Sequence, residues 1–203
     1  MIDFWVSVGS TYSYLSVMRL ASVARANGVT FRWRPFSVRA IMIGQNNIPF
    51  RGKPVKAAYM WRDIARRAQM YGLSPRLPAP YPLAEFDLAN RIAVLGELEG
   101  WHADYIRAAY RQRFEQGHEA GSEPGRSLAL REIGKDPALV VETAQGADVE
   151  ARYHALTEEA KALGVFGSPS FVVEGEVFWG DDRLDDAISW FKHRRVIAHR
   201  SGP

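Results

Sequence analysis

The two ends of the chain carry all of its strand signals, and their order limits the folds open to it. Ile2 to Val8 (IDFWVSV) is apolar, β-branched and aromatic, and it stops at Gly9, the pattern of a buried strand. From Ser10 or Thr11 a helical face follows through Tyr14, Leu15, Met18, Leu20, Ala21 and Ala24, closed by Asn27-Gly28. Val29 to Phe36 alternates and reads as a second strand. Strand, helix and strand within 36 residues predict a parallel βαβ unit with a right-handed crossover. Strand signals return after residue 165: Ser170–Val173 and Glu176–Trp179 flank Glu174-Gly175, a tight hairpin. Gly180-Asp181-Asp182 then opens a last helix through Leu184, Ala187, Ile188 and Phe191, and the basic tail from Lys192 reads as frayed.

Between these ends the pattern is helical. Residues 44–54 are a loop by their Gly, Asn and Pro content, and 74–82 hold four prolines that no helix interior tolerates. Helices are expected over 55–71, 84–98 and 101–117, a short one after the Asp136-Pro137 cap, and one capped by Asp148 that ends at Leu163-Gly164. The order βαβ, helices, ββα is the thioredoxin-like arrangement. The expected fold class is α/β: a discontinuous thioredoxin-like domain of residues 1–37 and 164–203, with an all-α insertion over 38–163.

Composition removes several chemistries. The 203 residues include no cysteine, which excludes a thiol nucleophile, a redox dithiol and thiolate-bound metal. The five histidines have no metal-site spacing, and no nucleophile elbow or phosphate loop is present, so no metal is expected. No apolar run is long enough to span a membrane, and Met1–Gly9 lacks the form of a signal peptide, so a cytoplasmic location is expected. Residues 1–100 carry 13 basic and 6 acidic groups. Within 51–67, Arg51, Lys53, Lys56, Arg62, Arg66 and Arg67 face Asp63 alone. Such an excess attracts an anion, and a solvated helix face is the plainer account of it.

Three segments could carry chemistry. Ser10-Thr11-Tyr12-Ser13 stands after the first strand, where a thioredoxin-like oxidoreductase has its C-x-x-C. A serine there forms no disulfide, but its hydroxyl and the helix N-terminus favour an anion such as a ligand's thiolate; a plain N-cap is the alternative. Pro169 stands where such folds place a cis-proline, with the backbone of Ser168 open to a peptide-like ligand. Asp181 and Asp182 supply acceptors at the following helix entry.

Together these segments resemble the 2-hydroxychromene-2-carboxylate isomerases and the kappa-class glutathione transferases. The stretch DFWVSVGSTYSYL is similar to the family's D-F-x-S-P-[FY]-S-Y-L, with Thr11 in place of the proline. VFGSPSFVVEGEVFWGDDRLD is similar to its V-F-G-x-P-x-F…W-G-x-D-R-L. The resemblance implies a dimer that binds glutathione and a small aromatic carboxylate, with no nucleic-acid or membrane partner. It implies that Ser10 bonds the glutathione sulfur and that Ser168, beside Pro169, pairs through its backbone with the cysteinyl unit. Asp181 and Asp182 would hold the γ-glutamyl end, and Lys56 and Asn47 the glycyl end or the substrate carboxylate. The implied reaction is reversible thiolate addition that lets a double bond rotate. A glutathione-conjugating transferase and a non-enzymatic binding protein are the alternatives.

Overall fold

The computed structural model describes residues 1–50 and 52–197. Four strands form one mixed sheet: β1 (Ile2–Val6), β2 (Phe31–Pro35), β3 (Ser170–Val173) and β4 (Glu176–Trp179), in the spatial order β2-β1-β3-β4. β1 runs parallel to β2 and antiparallel to β3, and β3 runs antiparallel to β4. β1 is central, and Phe4, Trp5 and Val6 are fully buried. That burial on both faces is why Phe4, Trp5 and Val6 follow one another without alternation, Asp3 being the one charged residue of the strand.

Phe4, Phe171 and Phe178 lie opposite one another across β1, β3 and β4 and so share a face. Phe4 and Phe171 stack at 5.2 Å, and Phe178 meets Trp190 of the last helix, α9 (Leu184–His193), at 6.2 Å. The other face presents Trp5 and, beside it on β2, Arg34, which pairs with Glu159. Glu159 belongs to α8 (Ala147–Ala162), one of seven helices among the described residues between β2 and β3. The others are α2 (Val38–Gly44), α3 (Pro54–Met70), α4 (Phe86–Glu99), α5 (His102–Arg111), α6 (Gly125–Glu132) and α7 (Pro137–Ala144); α1 is Ser13–Asn27. The buried apolar side chains form one continuous cluster from the sheet into these helices.

Local rules account for most boundaries. The hairpin turn has φ of 51° at Glu174 and 89° at Gly175, the paired positive values of a two-residue turn that matches strand twist. Asp136 caps α7 by accepting from the N–H groups of Ala138 and Leu139 at 2.8 and 3.3 Å. Three expectations need correction. Asp148 does not cap α8: Gly146 does, and Asp148 lies in the first turn, where its charge still favours the helix dipole. The helix expected over 101–117 is α5 followed by a π-helical turn, Gln112–Gln116. α9 continues through Lys192 to His193, and Ile197 bonds back to Ser189, so fraying does not begin at 192. Residues 198–203 of the expected tail lie outside the described residues.

The topology sets where a site can form. Because β1 and β3 are antiparallel, with Trp5 opposite Ser170, the end of β1 lies beside the start of β3. Ser170 in turn lies opposite Trp179, so the end of β4 reaches the same edge. Residues 7–13, 168–169 and 180–182 converge there.

Candidate functional site

The segment after β1 is shaped by a side chain from the helical block. Asn90 of α4 is fully buried and uses all of its amide. Its Oδ1 accepts from the Val8 N–H at 2.8 Å and the Ser7 hydroxyl at 3.2 Å; its Nδ2 donates to the carbonyls of Val8 and Phe86 at 2.9 and 2.8 Å. Gly9 has φ of 113°, and a Cβ there would stand 2.8 Å from the Phe86 ring. Only glycine fits both constraints. From α5, the Tyr110 hydroxyl lies 3.1 Å from the Ser7 carbonyl oxygen and 2.9 Å from that of Ser10.

The two serines of the S-x-x-S differ in their surroundings. Ser13 opens α1 and is fully buried, with its hydroxyl 2.9 Å from that of Ser168. The Ser168 hydroxyl also accepts from the Ser7 N–H at 2.9 Å. Ser10 is partly exposed, and its hydroxyl donates to the Ser168 carbonyl at 2.6 Å. It is not a helix cap: α1 begins at Ser13, and its first turn has neither a side-chain cap nor an acidic residue. The dipole of this N-terminus is therefore uncompensated within its own helix. The Ser168-Pro169 peptide is cis, as expected from the position of Pro169, and the Pro169 carbonyl accepts from the Gly180 N–H at 3.0 Å.

α3 crosses this edge with residues spaced along one face. Met60 Sδ lies 3.0 Å from the Thr11 hydroxyl, and Asp63 accepts from Tyr12 at 3.0 Å. Arg67 donates from Nε and Nη2 to one oxygen of Asp181, at 2.9 and 2.7 Å. Arg19 of α1 donates to the Asp181 carbonyl at 2.6 Å. Asp181 is buried, and burial holds its carboxyl above the usual range despite the opposing pull of Arg67 and Arg19. The tyrosines are poor bases: burial, with Asp63 next, raises Tyr12, and burial raises Tyr110 against the charge of Arg113. Both stay protonated at neutral pH and act as donors.

The comparisons with known proteins can now be set beside this geometry. The DSBA-like thioredoxin domain family matches the chain over residues 1–189. The chain belongs to this family. A curated relative named 2-hydroxychromene-2-carboxylate isomerase, from Sphingobium xenophagum, is 26% identical over 186 residues, with 91% of this chain and 94% of that protein covered. A protein named glutathione S-transferase kappa 2, from Caenorhabditis elegans, is 25% identical, with 91% of this chain and 88% of that one covered. A solved structure of a 2-hydroxychromene-2-carboxylate isomerase is 27% identical with a TM-score of 0.79, over 90% of each chain.

Within this DSBA-like thioredoxin domain, Ser10, Ser168 and Pro169 come together directly, and Asp181 follows Gly180, whose N–H donates to the Pro169 carbonyl. The sequence expectation left both Asp181 and Asp182 free for a ligand. Instead, one oxygen of Asp181 is committed to Arg67, while Oδ1 accepts no hydrogen bond among the described residues. Asp182 is exposed and pairs with Arg183 at 3.1 Å. Lys56 and Asn47 have exposed side chains with no hydrogen bond to the other expected site residues. Lys56 stands one turn before Met60 on α3, and its ammonium lies 5.8 Å from the Phe50 ring. The basic segment is also less free than it reads, because Arg67 serves Asp181 and Arg66 pairs with Asp63 at 3.5 Å. Asn90 and Tyr110 shape the candidate site without belonging to a motif, since each acts on a segment far away in the chain, as does Arg67 of the basic segment.

Proposed function

We propose that this chain is a glutathione-dependent isomerase of a conjugated aromatic carboxylate, 2-hydroxychromene-2-carboxylate or a near analogue. The reading is carried by the Ser10 hydroxyl, a partly exposed donor beside the Ser168 carbonyl and an uncapped helix N-terminus, in a chain without cysteine. The names of the relatives and the solved isomerase support it.

The residues present fit a tripeptide thiol. The first turn of α1 offers N–H groups and a dipole with no carboxylate to neutralise them. Asp181 Oδ1 can take an ammonium group, and Lys56 and Asn47 a carboxylate. Bound glutathione would supply a thiol, the nucleophile that this chain lacks. Ser10 then has two acceptors to choose between: the Ser168 carbonyl and an anionic sulfur. Turning the hydroxyl from the first to the second leaves the carbonyl for an N–H of the ligand. Asn90 and Tyr110 hold the backbone of residues 7–10 in place during that exchange. Preorganised donors of this kind act most strongly where negative charge is greatest. A homodimer in the cytoplasm belongs to the same reading.

Two measurements test it. Calorimetric titration should give saturable glutathione binding, and isomerisation should require glutathione without consuming it. No heat at millimolar glutathione with folded protein sinks the reading. Stoichiometric loss of the thiol with release of a conjugate would instead mark a transferase, the activity in the name of the kappa relative.

A further inference from the structure

Arg113 lies in the π-helical turn after α5 and is fully buried. Its Nε donates to the Pro80 carbonyl at 3.0 Å. Its two terminal nitrogens have no acceptor among the described residues. Glu119, the carboxylate whose charge acts on it, is engaged elsewhere: Oε1 accepts from the Ala84 and Glu85 N–H groups, and Oε2 from Ser122. Burial lowers the guanidinium only to about 10, with Tyr110, Tyr81 and Glu119 opposing, so it remains a cation at neutral pH. A buried charge with four idle N–H donors is a costly feature that asks for an anion.

Its surroundings say which kind of anion. The guanidinium carbon stands 5.2 Å from the centre of the Phe114 ring and 6.0 Å from that of Tyr81. Trp61 of α3 lies 6.1 Å from Tyr81 and 6.4 Å from Phe114. Phe114 stacks on Tyr14 of α1 at 4.3 Å. One turn before Arg113, Tyr110 reaches the carbonyl of Ser10. A cation in an aromatic-walled region thus adjoins the Ser10 loop. Tyr81, over the guanidinium, is 38% exposed, so admission of a ligand requires displacement of a surface ring.

We propose that the Arg113 guanidinium is the anchor for the carboxylate of a flat aromatic substrate, whose ring packs among Tyr81, Trp61 and Phe114. The two terminal nitrogens match the two oxygens of a carboxylate. The proposal deepens the isomerase reading and rests on it for the identity of the substrate. It gives the substrate carboxylate to Arg113 and leaves Lys56 and Asn47 with the glycyl end, the other of the two roles that the resemblance implied for them.

The test uses trans-o-hydroxycinnamate and its uncharged amide as probes, titrated by calorimetry without glutathione. Wild type should bind the carboxylate about tenfold more tightly than the amide, the scale of one charged pair. Arg113→Met should abolish that preference and leave the glutathione Kd unchanged; Arg113→Lys should keep part of it. As a check that needs no variant, the Arg113 Nε resonance in 15N-arginine-labelled wild type should shift with the carboxylate and not with the amide. Equal affinity for both probes in wild type, a preference surviving in Arg113→Met, or an unmoved Nε resonance overturns the proposal. Selective hydroxycinnamate binding without glutathione binding would overturn the glutathione reading alone.

Discussion

At the scale of single residues, Ser10 and Asn90 have separable roles. Removing the Ser10 hydroxyl should reduce kcat about 10²-fold, the scale of one lost anion-stabilising donor, with little change in the glutathione Kd. The apparent pKa of the bound thiol should rise toward its free value of about 8.5, read from thiolate absorbance against pH. An unaltered kcat and thiol pKa in Ser10→Ala would leave Ser10 as no more than a tie to Ser168. Asn90→Leu keeps the branching and the number of heavy atoms but strands the Val8 N–H and carbonyl in a buried place. It should cost about 3 kcal/mol in urea denaturation, from two unsatisfied groups at 1–3 kcal/mol each. A loss below about 0.5 kcal/mol would show that residues 7–9 hold their shape without it. Ser10 was legible in the sequence because its frame is local, four residues after a strand. Asn90 was not, since its acceptors and donors lie 82 residues away and a polar side chain on a helix ordinarily faces water. Tyr110 and Arg113 escaped for the same reason, and Arg67 was legible only as one charge of the basic segment and not as the partner of Asp181.

At the scale of elements, the join between α4 and α5 contains a pH-sensitive group. His102, the first residue of α5, is half-buried, with Nδ1 3.3 Å from the Gly96 carbonyl of α4. Burial holds its pKa below 6.5, against the opposing pull of Gly96, Glu97 and Asp104. The unfolded chain therefore takes up this proton at a higher pH than the folded chain does. The stability it contributes is complete above pH 6.5 and is lost as pH falls below that value toward the lower folded pKa. Melting temperatures at pH 7.5 and 5.5 should diverge more for wild type than for His102→Gln; parallel shifts would exclude the group. Local periodicity and capping revealed βαβ, the hairpin and α7. Where cap and context compete they misled: Gly146, not Asp148, starts α8, and the stretch through Arg113 and Phe114 widens to a π turn. α2 and α6, at seven and eight residues, are too short to show a period.

At the scale of the whole molecule, the buried cluster runs without a break from the sheet into the helical block. Unfolding should thus be one transition, with tryptophan fluorescence and far-UV circular dichroism coincident in urea; two separated midpoints would show that sheet and helices melt independently. Phe4→Ala, which removes a ring touching Trp33 and Phe171, should move both signals together by about 3–5 kcal/mol. The hydrogen bonds around Ser10 span the chain in the same way, since the hydroxyl and its acceptor are 158 residues apart. A ribosome adding about 5–20 residues per second leaves Ser10 without that acceptor for roughly 8–30 seconds. Throughout that interval β1 also lacks β3 along one side and offers an unpaired apolar edge to its neighbours on a polysome. Nascent chains arrested before residue 168 would therefore be both inactive and prone to associate, and synthesis of β3 and β4 would complete the sheet and the Ser10 site in one event.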